Sequence, residues 1–164
     1  MKKYQEALVI VKEAFQAIPP PGKKEVMKNY LRELNTQKLY LLNNLSISIT
    51  SVKINEQIDP DKKPLNNCLI DLAKNSLTIL CVLKKTDSET IMTNNATLFE
   101  KKNADYGNSF VDFALIGIIV RLNDKINRIL NLGGAPSANM QVDEKIEDTI
   151  NDLYNYCIIG LMYT

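Results

Sequence analysis

The sequence predicts an all-α protein, a helical bundle of five or six helices folded as a single domain over residues 1–164. Three observations predict it. Apolar residues recur at three- and four-residue spacing through long segments, the mark of amphipathic helices. Proline and glycine clusters punctuate those segments. The only stretch that alternates apolar and polar residues, Leu45-Ser46-Ile47-Ser48-Ile49-Thr50, finds no second strand to pair with. A chain of 164 residues is long enough to bury most of its surface without disulfides or a structural metal.

The first helix is expected over residues 3–18, with Leu8, Val11, Phe15 and Ile18 on one face, and it stops at Pro19-Pro20-Pro21-Gly22. The second starts near Lys23 and turns Val26, Tyr30, Leu34, Leu41 and Leu45 inward; it is expected to run through the alternating stretch to about Glu56. A turn at Ile58–Pro64 leads to a third helix from Pro64 to about Lys85, carrying Leu65, Leu69, Leu72, Leu77, Leu80 and Leu83. Thr86-Asp87-Ser88 links and caps a fourth, from about Glu89 to Lys102, and Asn103–Asn108 reads as a break. The fifth runs from Phe110 to Leu132, with Phe113, Ile116, Val120 and Ile126 or Ile129 as its apolar positions, and ends at Gly133-Gly134-Ala135-Pro136. The last, from Val142 to Leu161, has the stripe Ile146, Ile150, Leu153, Cys157 and Leu161.

Composition removes several function classes. There is no histidine, so Ser-His and Cys-His catalysis and histidine-ligated zinc are excluded. Cys68, Cys81 and Cys157 lack metal-ligand spacing and sit in apolar helical contexts, which predicts buried thiols in a reducing compartment. A metal site in this chain has to be built from carboxylates, amides and water, the donor set of magnesium or manganese. With 20 basic and 19 acidic residues, the chain has no global field to attract nucleic acid or an anionic membrane. The apolar start is interrupted by Lys12 and Glu13, too short and too charged for a signal peptide or membrane span. A cytoplasmic protein is the expectation.

Two polar stripes remain. On the fifth helix Gly117, Arg121, Asp124 and Arg128 share a face, with Lys125 beside them. On the last, Glu144, Asp148, Asp152 (or Asn151) and Asn155 follow at about four-residue spacing, with Asp143 and Glu147 nearby. Stacked like charges destabilise an isolated helix by a few tenths of a kcal/mol per pair. A divalent cation would relieve that repulsion. Where a short loop packs two antiparallel helices face to face, Asp124 meets Glu144, Asp148 and Asp152, bordered by Arg121, Lys125 and Arg128. Carboxylates, a metal and flanking cations suit a polyphosphate. The competing reading of the same spacing is two solvated faces joined by surface ion pairs worth little.

Three runs carry a resemblance: Phe99 to Phe110 (FEKKNADYGNSF), Arg121 to Arg128 (RLNDKINR) and Asp143 to Tyr156 (DEKIEDTINDLYNY). In this order they resemble a phage and prophage family, the nucleotide-modification-associated domain family. They are also similar to the all-α nucleotide pyrophosphohydrolases, the MazG-like and dimeric dUTPase-like enzymes. Residues 99–162 carry the likeness, and residues 1–98 carry no recognised motif.

The wider group implies magnesium-dependent cleavage of a nucleoside triphosphate to monophosphate and pyrophosphate, by a homo-oligomer in the bacterial host cytoplasm. By that resemblance Asp124, Glu144 and Asp148 are catalytic metal ligands, with Asp152 or Glu147 as a further candidate. Arg121, Lys125 and Arg128 contact phosphates, while Lys102, Asn103, Asp105 and Tyr106 line the nucleotide. MazG-type enzymes show Glu-x-x-Glu and Glu-x-x-Asp pairs. This chain has Glu100-x-x-Asn103 and Glu144-x-x-x-Asp148 instead. A pocket of this kind lacking a competent metal site would bind a nucleotide and keep it, as a phage anti-defence factor sequestering a signalling nucleotide would. A third reading is a helical interaction protein whose stripes set only helix register.

Overall fold

In the computed structural model the backbone is described for residues 2–16, 22–54, 63–106, 110–133 and 140–164, and side chains for 2–16, 22–43, 64–103, 115–133 and 146–164. Six helices are present among them: α1 (Tyr4–Ala14), α2 (Lys23–Ile54), α3 (Lys63–Lys84), α4 (Ser88–Tyr106), α5 (Phe110–Gly133) and α6 (Met140–Met162). The all-α expectation holds, and no described residue is in a strand. No helix among the described residues is long and apolar enough to cross a membrane.

α3 and α6 form the centre because their apolar residues are spread over the widest arcs. On α6 Ile146, Ile150, Leu153, Tyr154, Cys157, Ile158, Ile159 and Leu161 are buried; on α3 Leu65, Leu69, Leu72, Leu77, Ile79 and Leu80 are. A helix apolar over so wide an arc has to be covered from more than one side. α2 packs on α3 and α5, and α6 packs on α3 and α5, so these four close into a ring. α1 covers α6 and α3 from outside, and α4 lies against α3 and α1. Close approach is set at Gly160, where an added Cβ would stand 3.0 Å from Leu69 Cδ1 and 3.4 Å from Ile118 Cγ2.

Helix α1 is shorter than expected. Phe15 is already extended (φ −75°, ψ 129°), although its N–H still donates to the Val11 carbonyl at 2.9 Å. Pro19 has no N–H to donate to the carbonyl of Phe15, four residues earlier, and its ring would clash with that carbonyl, so the helix has no continuation there; Ile18 lies outside the described residues. At its start, the Lys3 N–H donates to Glu6 Oε2 at 2.7 Å, half of a capping box. α2 spans 32 residues, roughly 48 Å at the α-helical rise, and its backbone stays helical through the alternating stretch. Absence of a partner strand outweighs the local period there.

Asp87 caps α4, its Oδ1 accepting the Thr90 N–H at 2.7 Å. That bond holds the Asp87 carboxyl below the usual range. The break expected from Asn103 begins later, since α4 is helical through Tyr106. On α5 the inward face is Ile118, Ile119, Leu122, Ile126 and Ile129, whereas Val120 is 43% exposed. The apolar residues therefore follow strict three- and four-residue steps from Ile119, and the step from Ile116 to Val120 leaves that face.

α3 ends in a Schellman turn. Lys85 takes φ 51°, and the Thr86 N–H donates to the Cys81 carbonyl at 3.3 Å. A side chain in this left-handed position carries a steric cost that glycine does not. Lys85→Gly is expected to raise stability by about 0.5–1 kcal/mol, read as a higher urea midpoint at unchanged slope. A lower midpoint would contradict this account of the turn.

Candidate functional site

The two C-terminal helices run antiparallel, with Ile118 against Gly160 and the Lys125 ammonium bonded to Asp152 Oδ2 at 3.1 Å. This register puts Arg128 about one turn nearer the N-terminal end of α6, level with Asp148, and Arg121 about one turn the other way, level with Tyr156. Arg121, Asp124, Arg128 and Asp148 are exposed, and none is paired with another described side chain. Among the described residues the expected stripes thus meet at one contact, Lys125 to Asp152, and leave Arg121, Asp124, Arg128 and Asp148 open to solvent.

Lys125 is held because its stem runs along the packed seam. Its side chain is 24% exposed, whereas that of Asp152 is 46% exposed. An ion pair at that depth is a modest contributor to stability. Its chemical consequence is larger, because it commits one candidate metal ligand to an ammonium. Glu147, the other reserve ligand, faces α3 and pairs with Lys84 at 3.7 Å. Among the described residues no group of three or more histidine, cysteine, aspartate or glutamate side chains gathers around a point. The described carboxylates do not by themselves fit a magnesium ion, and no reaction step is assigned to one. The side chain of Glu144 lies outside the described residues.

Lys102 and Asn103 occupy a different place. Tyr4 stacks on Phe99 (centroids 4.3 Å apart) and donates through its hydroxyl to Asn155 Oδ1 at 3.1 Å, while Asn95 meets Asn151 and Asn155. α4 therefore runs parallel to α6. Lys102, exposed, and Asn103, half-buried, stand beside the last turns of α6, roughly 18 Å along the axis from Asp148. The side chains of Asp105 and Tyr106 lie outside the described residues. Within one chain, then, the basic ridge Arg121–Lys125–Arg128 and the acids Asp148 and Asp152 share a helical seam. The segment before Gly107 belongs to the opposite end of α6.

A polar cluster not expected from spacing lies between α4, α6 and α1. Asn95, 4% exposed, accepts at Oδ1 from Asn151 Nδ2 (2.8 Å) and Asn155 Nδ2 (2.7 Å). Its own Nδ2 donates to Asn151 Oδ1 and to the Ile91 carbonyl, each at 3.0 Å. Asn151 and Asn155 looked like part of the acidic stripe of α6; the structure turns them away from it, toward α4. Asn95 is one of three asparagines on the poorly amphipathic α4, with Asn94 and Asn103, and the sequence carries no signal of its partner.

Tyr154 is fully buried and its hydroxyl has no hydrogen-bond partner among the described residues, so it is a packing residue. Burial raises its phenol well above the ordinary range, and the neighbouring Tyr4 phenol adds to the effect. Cys157 is buried too, Cys68 nearly so, and burial pushes the Cys68 thiol up to about 12. Cys81 is half-buried, with its thiol raised for the same reason. None of the three has the character of a nucleophile.

Comparison with curated proteins and with solved structures gives no match. Against protein-family models, residues 102–163, which span the end of α4 and all of α5 and α6, match the family described as Nucleotide modification associated domain 1. The likeness to MazG-like and dimeric dUTPase-like enzymes rests on the motifs alone. The C-terminal part of the chain, including the whole α5–α6 seam, is thus similar to a domain associated with nucleotide modification.

Proposed function

We propose that the α5–α6 seam binds a nucleoside polyphosphate, with Arg121, Lys125 and Arg128 as the phosphate contacts. One observation carries this reading: the segment similar to a nucleotide-associated domain is the segment that presents three cations at one-turn intervals, two of them exposed and unpaired. An arginine whose guanidinium is not committed to a carboxylate keeps its fork free for phosphate oxygens. Lys125 is committed to Asp152, and a phosphate would compete for it. The reading includes retention of an intact nucleotide, as in a sequestering protein acting during phage infection.

A second reading is favoured by a separate observation. Asp124 and Asp148 are also exposed and unpaired, beside the same cations. With Glu144 and Asp152 they are the carboxylates through which magnesium or manganese would support pyrophosphohydrolysis of the bound nucleotide. A second copy of the chain is the natural source of any further ligand.

The deciding experiment incubates the chain with ribo- and deoxynucleoside triphosphates, with and without magnesium or manganese. It follows pyrophosphate release and the nucleotide retained through gel filtration. Intact nucleotide recovered after denaturation, without pyrophosphate release, is the expected result. Metal-dependent release that disappears in Asp148→Asn, with fold and nucleotide retention unchanged, would establish the hydrolytic reading instead. Neither retention nor release from any nucleotide would overturn both.

A further inference from the structure

We infer that the Asn95–Asn151–Asn155 amide cluster is a clasp that positions α4 on the bundle as a unit, and that Asn95 is its central positioning residue. The nucleotide consequence drawn from it rests on the function proposed above.

The helices of the ring approach one another closely, whereas α4 joins the shared apolar core through Ile91, Met92 and Ala96 from the outside. Its backbone does not pack closely on α6, and its helix neighbours are α3 and α1. The directional tie to α6 is the Asn95 side chain, buried and engaged through both ends of its amide in bonds of 2.7–3.0 Å. Asn151 and Asn155, one turn apart, receive it as a pair. Tyr4 closes the set from α1, its hydroxyl on Asn155 and its ring on Phe99 of α4. Apolar contacts are non-directional and tolerate sliding. A satisfied amide cluster has one register, because a shift by one residue would leave several buried donors and acceptors unmet.

That register has consequences at both ends. α6 carries Asp148 and Asp152 flanking Asn151, so the residues that hold α4 alternate along one helix with those that border the candidate site. α4 in turn runs seven residues beyond Asn95 to Lys102, the first residue of the matched segment. Fixing Asn95 against α6 therefore fixes where Lys102 and Asn103 stand relative to the seam.

Hydrogen exchange on the full chain tests the clasp without any ligand, using Asn95→Leu and the double variant Asn95→Leu/Asn151→Leu. In Asn95→Leu the amides of α4 should exchange at least about tenfold faster, while those of α3, α5 and α6 keep their protection. Unchanged α4 exchange, or a uniform rise over every helix, would overturn the inference. The double variant replaces two facing amides with apolar groups and should recover part of the thermal stability lost in Asn95→Leu, the Asn155 amide alone losing its acceptor. Its affinity for a nucleoside triphosphate should stay several-fold below wild type, because the register is not restored. Affinity that recovers together with stability would make the cluster merely structural and would also overturn it. If the wild-type chain binds no nucleotide, the function proposed above falls, and the exchange measurement still decides the clasp.

Discussion

The double variant Arg121→Ala/Arg128→Ala is expected to lose about two orders of magnitude or more in affinity for a nucleoside triphosphate while keeping its fold. Both guanidinium groups are exposed and unpaired, so removing them leaves no stranded partner in the core. A charge-assisted bond from an arginine to a phosphate oxygen is commonly worth about tenfold or more in affinity. The loss should therefore appear in binding and not in the urea midpoint. Because the seam is solvent-exposed, wild-type affinity should also fall with ionic strength, and the variant should show a shallower dependence. Equilibrium dialysis at two salt concentrations reads both quantities. Equal affinity of variant and wild type would remove the two arginines from the site.

Stability is expected to collapse at alkaline pH. Tyr30 and Tyr154 are buried phenols whose ordinary value is 10.0, and burial raises both strongly; Tyr30 is bonded to Ser76 at 2.9 Å. The thiols of Cys68 and Cys157, ordinarily 9.0, are raised as well, Cys68 to about 12. Each group is neutral in the folded chain at a pH where the unfolded chain ionises it. A folded value above the unfolded one gives stability that is complete below the unfolded value and is lost as pH rises toward the folded one. The window opens near pH 9 for the thiols and near pH 10 for the phenols. Each group then removes roughly 1.4 kcal/mol per pH unit, so several together exhaust the stability of an ordinary domain. Urea midpoints measured under reducing conditions should be level from pH 6 to 8 and fall steeply above about 9 to 10. A level profile to pH 11 would contradict the burial of these groups. Tyr154→Phe deletes a hydroxyl without a partner among the described residues and should flatten the slope at no cost at neutral pH.

Helices were legible wherever the apolar period was clean. α6 shows this best: its five expected inward residues, Ile146, Ile150, Leu153, Cys157 and Leu161, are all buried. α5 was legible in extent but not fully in rotation. Ile-rich runs such as Leu115 to Val120 offer several candidate stripes, and only the neighbours of a helix choose among them. Val120 lost that choice and faces solvent. The candidate site shows the same boundary. Spacing placed Arg121, Asp124 and Arg128 on one face, and the structure leaves all three exposed. Spacing alone did not separate Asn151 and Asn155 from Asp148 and Asp152, because a four-residue polar period does not say which residues turn toward a third helix. That information belongs to Asn95, more than fifty positions away in the chain, and becomes visible only once α4 and α6 lie side by side.

The most direct test of the central claim is photoaffinity labelling of the wild-type chain with an azido-nucleoside triphosphate, followed by peptide mapping. The account predicts label on peptides of α5 and α6, displaced by excess unlabelled nucleotide and reduced by Arg121→Ala/Arg128→Ala. Label confined to residues 1–98, or label that unlabelled nucleotide does not displace, would contradict it.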